Sequence, residues 1–271
     1  MKFHLIIFYT EGKPYDKGEN LTSEASKFIK KSKPYVDKVT AYCPRKLIKL
    51  NQKWKKIFTD QREYMKKMTQ NSTLKWNHNW AALNFIEWKP NLIDHMLNIE
   101  PKENSGEIFI YHDVNLKKYP DYLKNIKKWK NWISAKIKNN HIILFNDDSL
   151  PLKVDCKQEI IDKYSLNKFE NNHHIWAGAI IIKNSNISKK FIKQWCLITA
   201  DINNRSQFTN FFNKNEPRAH SQEQACLTVL YYLWKIKKKR GIKCINLCNS
   251  RIFPPDFKQC VKFYIRKFLN F

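Results

Sequence analysis

Phe3 to Thr10 is apolar at almost every position and breaks at Glu11-Gly-Lys-Pro14, the pattern of a first strand buried on both faces of a sheet. Thr22 or Ser23 then caps a helix whose Ala25, Phe28 and Ile29 share one side, and Val39, Ala41 and Cys43 alternate along a second strand, Val36 to Tyr42. Strand, helix, strand within so short a distance is the order of a βαβ unit. Leu47 to Met68 places Leu50, Trp54, Ile57 and Phe58 at helical spacing and predicts one or two surface helices. A further helix begins at Trp88-Lys-Pro90, with Pro90 in the first turn where its missing N–H removes no hydrogen bond. Leu92, Ile93, Met96 and Leu97 form its buried face.

Ile108 to Tyr111 reads as a central buried strand running into the polar His112-Asp-Val-Asn115. Tyr119 to Lys138 is an amphipathic helix with Leu123, Ile126, Trp129, Trp132, Ile133 and Ile137 inward. His141 to Phe145 is a strand, Asn146-Asp-Asp148 a polar turn and second candidate site, and Val154 to Leu166 a helix. His173 to Ile182 is a strand containing Ala177-Gly-Ala179, where the lack of side-chain bulk lets a ligand or another backbone approach closely. Ser188 opens a helix, Asn203 to Pro217 is an exposed loop, and His220-Ser-Gln-Glu-Gln-Ala225 opens another helix with Ser221 as N-cap and Glu223 in the first turn. Ile242 to Leu247 is a short strand, and Phe257 to Phe268 interleaves aromatic and basic residues. With no internal repeat and no linker, the pattern predicts a single α/β domain, a mainly parallel sheet flanked by helices.

Composition narrows the function. Five glycines in 271 residues leave no glycine-rich phosphate loop. The net charge of +26 invites a nucleic-acid reading, but seven arginines stand against 43 lysines, and arginine supplies the forked contacts that read bases. Such a surface attracts nucleotides, acidic glycans or an anionic membrane. Seven cysteines show no C-x-x-C pair, which argues against zinc and for reduced thiols. The apolar run at the N-terminus is too short for a signal peptide, and no run is long enough to span a bilayer. The expected location is the cytoplasm, with peripheral membrane contact through the basic surface and the aromatic C-terminal segment.

The chemistry centres on Asp113 and Asn115. Two residues apart on an extended segment, they face one side, at the C-terminal end of a strand where an open α/β sheet places its ligand. Two oxygen ligands so placed suit a hard cation that bridges a diphosphate. Trp88 and Lys89 stand at a helix N-terminus, where a cation and free backbone donors both favour an anion. An ordinary polar turn and a core Trp beside an exposed Lys account for the same residues.

Taken in order, Trp88-Lys-Pro90, Gly106 to Asn115, Trp176-Ala-Gly-Ala-Ile-Ile-Ile182 and Glu223-Gln224 resemble a GT-A-fold glycosyltransferase, of the small type found in bacterial surface-polysaccharide and large DNA virus glycan pathways. The resemblance implies a Rossmann-like GT-A domain in which residues 1–122 bind a nucleotide sugar, UDP- or GDP-linked, and residues 123–271 bind a glycan acceptor and carry the basic C-terminal segment. It places Asp113 and Asn115 where the family has the D-x-D motif that holds Mn²⁺ or Mg²⁺, with a neutral Asn in the second position. It also sets Thr10 and Glu11 near the nucleotide base and makes Glu223 a general base, or a stabiliser of positive charge if configuration is retained. Lys89, His173 and His220 would neutralise the departing diphosphate. Two other readings compete: a basic nucleic-acid-binding protein, and a degenerate transferase fold acting as a scaffold.

Overall fold

A computed structural model describes residues 1–11, 20–58, 87–99, 106–114, 128–201 and 222–246. Six strands form one sheet in the order β2-β1-β3-β5-β4-β6, comprising β1 (Phe3–Phe8), β2 (Lys38–Tyr42), β3 (Ile108–Asp113), β4 (Ile142–Pro151), β5 (His173–Lys183) and β6 (Ile242–Asn246). β1 pairs in parallel with β2 and β3, β4 pairs in parallel with β6, and β5 runs antiparallel between β3 and β4. The result is a single mixed α/β domain, Rossmann-like in its mainly parallel sheet with helices on both faces.

One face carries α3 (Trp88–Ile99), α7 (Asn186–Ala200) and α8 (Gln222–Ile236), whose Leu92, Met96, Phe191, Trp195, Leu227 and Leu230 pack on Ile6, Phe109 and Ile180. The other carries α1 (Thr22–Ser32) and α4 (Trp129–Ile137), with Phe28, Trp129 and Ile133 against Leu5, Ile110 and Ile181. Burial on both sides explains the unbroken apolar runs of β1, β3 and β5. α8 is buried twice over. Its Ala225, Val229 and Tyr232 meet a small third cluster made by α5 (Leu152–Asp155), α6 (Gln158–Lys163) and Leu166.

Several boundaries depart from the sequence reading. The stretch expected as one helix to Leu166 breaks at Cys156 and Lys157, both extended, into α5 and α6. α7 starts before Ser188 because Ser185 is its N-cap, its hydroxyl accepting from the Ser188 N–H at 3.2 Å. Asn146-Asp147 is not a turn. β4 continues through it, Asn146 pairing with Ile175 and Asn246 and Asp147 with His174. Of the surface helices expected over Leu47 to Met68, a helix at Pro44–Leu50 (α2) and a helical stretch at 52–58 are seen, and residues 59–68 lie outside the described residues. Of the helix read over Tyr119 to Lys138, α4 is the described part, and the loop at 203–217, the cap at Ser221 and the C-terminal segment lie outside the described residues.

β5 is irregular where it matters. The register Ile143↔Ile181 jumps to Phe145↔Trp176, so β5 carries a bulge around Ala177–Ala179. The small residues there do serve close approach, but the group that approaches is the chain's own. A Cβ on Gly178 would lie 2.3 Å from the Trp176 indole, which lies over it.

Candidate active site

The residues singled out at Lys89, Asp113 and Glu223 converge on one point at the C-terminal ends of β1 and β3. Alternation along β3 sends Tyr111 and Asp113 to the face covered by α3 and α8, and the Tyr111 hydroxyl donates to Asp113 Oδ1. From the first turn of α3, Lys89 Nζ reaches Asp113 Oδ2 at 3.4 Å, and from the first turn of α8, Glu223 Oε1 stands 3.2 Å from the same nitrogen. The Ala177 carbonyl, turned out of the ladder by the bulge, accepts from Lys89 at 3.3 Å. An ammonium has three N–H donors. All three are directed at protein acceptors, so the anions that this ammonium meets are carboxylates of the chain itself.

Burial shapes the charges. The side chains of Lys89 and Glu223 are 5% and 8% exposed, whereas Asp113 is 37% exposed and forms the open side of the cluster. Burial opposes the charge on Lys89, but the two carboxylates outweigh it and hold the ammonium above its usual range. Burial pushes Glu223 up to about 7 against the pull of Lys89. For Tyr111, burial and then the Asp113 charge hold the phenol protonated, so it remains a donor. One acid of the cluster is thus poised to exchange a proton near neutrality.

α8 is positioned by a polar row that the periodicity of apolar residues hid. Gln224, Thr228 and Tyr232, one helical turn apart, face β5: Gln224 Oε1 accepts from the Ala177 N–H at 3.2 Å, Thr228 Oγ1 from the Ile175 N–H at 2.8 Å, and the Tyr232 hydroxyl donates to the His173 carbonyl at 2.8 Å. The Trp195 indole N–H donates to the Glu223 carbonyl at 2.9 Å and fixes the helix from its other side. Gln224 therefore holds the N–H of Ala177 while Lys89 binds the carbonyl of the same residue. Tyr111, Gln224 and Thr228 were missed as site-forming residues. The signal for Tyr111 was its position two before Asp113, and for the others their spacing of four along one helix face.

The remaining candidates fall into four groups. Trp88 stacks on Phe8 with ring centroids 3.9 Å apart and is a core residue. Thr10 and Glu11 follow the end of β1, whose Phe8 is aligned with Asp113; Thr10 is buried with its carbonyl accepting from the Leu21 N–H, and Glu11 pairs with Arg45 at 3.6 Å. His173 is exposed at the start of β5, while the neighbouring His174 is buried, its Nε2 3.2 Å from the Gln224 amide nitrogen. Asn115 and His220 lie outside the described residues.

The fit of a divalent metal follows from the donor set. Among the described residues no group of three His, Cys, Asp or Glu side chains could hold a metal ion. Asp113 offers one carboxylate, already bonded to Tyr111 and faced by the Lys89 ammonium, which opposes a second cation beside it. These residues do not by themselves make a Mn²⁺ or Mg²⁺ site. Among the described cysteines, those at 43, 196 and 226 are buried free thiols, and no described helix is long and apolar enough to cross a membrane.

No family model matches the chain, and no curated protein does. Among solved structures it is similar to a 4-diphosphocytidyl-2C-methyl-D-erythritol synthase from Anaerococcus prevotii DSM 20548, at 7% identity and a TM-score of 0.38 over 100% of this chain and 99% of that one. It is also similar to a mannose-6-phosphate isomerase from Helicobacter pylori, at 14% identity and a TM-score of 0.38 over 93% and 99% of the two chains. Likenesses so distant carry no functional assignment.

Proposed function

We propose that the protein is a glycosyltransferase of the GT-A type, moving a sugar from a UDP- or GDP-linked donor to a hydroxyl of a glycan acceptor. The observation that carries this reading is the convergence of Lys89, Asp113 and Glu223, from three distant segments, at the strand ends where an α/β sheet binds its ligand. Asp113 supplies the solvent-facing carboxylate that accepts hydroxyl hydrogen bonds from the donor sugar, with Tyr111 and Lys89 fixing its orientation. Glu223 acts as the base. A carboxylate brought to about 7 takes the acceptor's proton as the new bond to the anomeric carbon forms, and the nucleoside diphosphate leaves with the electron pair of the broken bond. Lys89 keeps the carboxylates apart in charge and fixed in place. Lys89 and Asp113 come from the half assigned to the donor and Glu223 from the half assigned to the acceptor, which suits a group passed between them.

The test is turnover of UDP- and GDP-sugars, with and without Mn²⁺, by the protein and by Asp113→Ala and Glu223→Gln. Either substitution should lower kcat/KM by roughly a hundredfold or more, while unfolding in denaturant stays cooperative. Turnover unchanged by both removes the assignment. A chain that turns over no sugar nucleotide, and binds none, returns the reading to a scaffold or a nucleic-acid binder.

A further inference from the structure

The end of α8 remote from Glu223 carries a feature that the site does not use. α8 and α7 pack antiparallel, Ile198 lying beside Cys226 and Phe191 edge-on against Trp234 at 5.1 Å, so the start of α7 and the end of α8 share one end of the molecule. Across Asn186–Ala200 and residues 224–246 there are nine lysines and arginines and no acid, whereas the whole chain has one acid for about every two bases, 24 against 50. Lys190, Lys237, Lys238 and Arg240 are exposed, and Lys239 lies over the Trp234 ring at 4.6 Å. These charges are crowded. Burial and then the neighbouring Lys190 and Lys237 make the ammonium of Lys239 easier to deprotonate. Like charges held together without acids favour an external anion.

We propose that this end of α7 and α8 is a docking surface for an anionic lipid bilayer. Two observations choose a bilayer over nucleic acid. The cations are ammonium groups except for Arg240, and an anionic headgroup layer attracts point charges without demanding arginine's fork. Trp234, the ring on which Lys239 lies, is 4% exposed and offers no face for base stacking, whereas the aliphatic Ile236, amid the lysines, is 38% exposed and can enter the headgroup layer. Docking here leaves the Asp113 end of the sheet, at the opposite end of α8, free for ligand. The surface is independent of the glycosyl-transfer reading.

The experiment is co-sedimentation with vesicles of phosphatidylcholine alone and vesicles in which a third of the lipid is phosphatidylglycerol. It uses the whole protein, the triple variant Lys190→Glu, Lys237→Glu, Lys239→Glu, and a control of equal charge change on α1, Lys27→Glu, Lys30→Glu, Lys31→Glu. The protein should bind the anionic vesicles only and be released by high salt. The patch variant should lose roughly a hundredfold in partitioning, at several-fold per lysine, and the α1 control far less. Circular dichroism confirms that each variant is folded. Equal losses in the two variants would reduce the effect to bulk charge and overturn the proposal. So would absence of binding to anionic vesicles, or preferential binding of an RNA or DNA duplex at the same salt.

Discussion

His112 and Glu223 are buried titratable residues on opposite faces of the sheet, and they bias stability in opposite directions. Burial brings His112 down to about 4, packed among Phe28, Trp129 and Trp176, so the folded state resists a proton that the unfolded chain accepts from about pH 6.5 downward. Its contribution is complete above 6.5 and is lost as pH falls through 4, by about 3 kcal/mol in all. For Glu223, raised to about 7, the sign reverses: its contribution is complete below the ordinary carboxylate range and is lost as pH rises through 7. Denaturant titrations across pH should show both slopes. His112→Gln should flatten the acid one and Glu223→Gln the one approaching neutrality; slopes unchanged in both variants would mean that neither group is buried as described.

At the scale of elements, the site depends on how α8 is seated against β5. The Thr228 hydroxyl is the acceptor for a buried backbone N–H, that of Ile175, and also donates to the Gln224 carbonyl at 2.9 Å. Thr228→Val keeps the volume and orphans that donor, which should cost about 1–3 kcal/mol of unfolding free energy. Because the neighbouring contact in the row is Gln224 to Ala177, the same variant should weaken donor binding without touching the ligand. A loss of stability with unchanged binding would confine Thr228 to the core. The bulge is the other half of this seat: it frees the N–H of Ala177 for Gln224 and its carbonyl for Lys89. Glycine at 178 is required because the indole of Trp176 already fills the space of a side chain.

At the scale of the whole molecule, the two ends of α8 separate two properties: a cluster of opposed charges near the strand ends, and a cluster of like charges at the far end. Nucleotide binding should therefore be insensitive to the lysines of the far end. Thermal unfolding with UDP, GDP or their sugars at a hundred times the dissociation constant should show about 2.7 kcal/mol of added stability. The Lys190→Glu, Lys237→Glu, Lys239→Glu variant should retain that shift in full, whereas Asp113→Ala, which removes the exposed carboxylate proposed to hold the donor sugar, should reduce it for the sugar nucleotides. A shift lost in the far-end variant would mean that ligand and patch meet.

Much of the fold could be read from the chain because local rules and burial agree there. Strands buried on two faces must be apolar throughout, and α3, α7 and α8 show their packing faces at helical spacing, so strand order along the chain and the α/β class followed from the sequence. Asp113 and Glu223 stood out as acids at the ends of apolar elements. The pairing of β5 antiparallel between β3 and β4, the bulge at Ala177–Ala179 and the break between α5 and α6 were not legible, because strand neighbours and register are set by contacts between distant segments. Nor was the burial of Lys89. A lysine beside a core tryptophan reads as exposed until Asp113, 24 positions on, and Glu223, 134 positions on, are brought to its nitrogen. The sequence by itself determined which residues carry charge and which segments must be buried; the tertiary structure decided that three of those charges would meet, since only packing can make a buried ammonium affordable by surrounding it with acceptors.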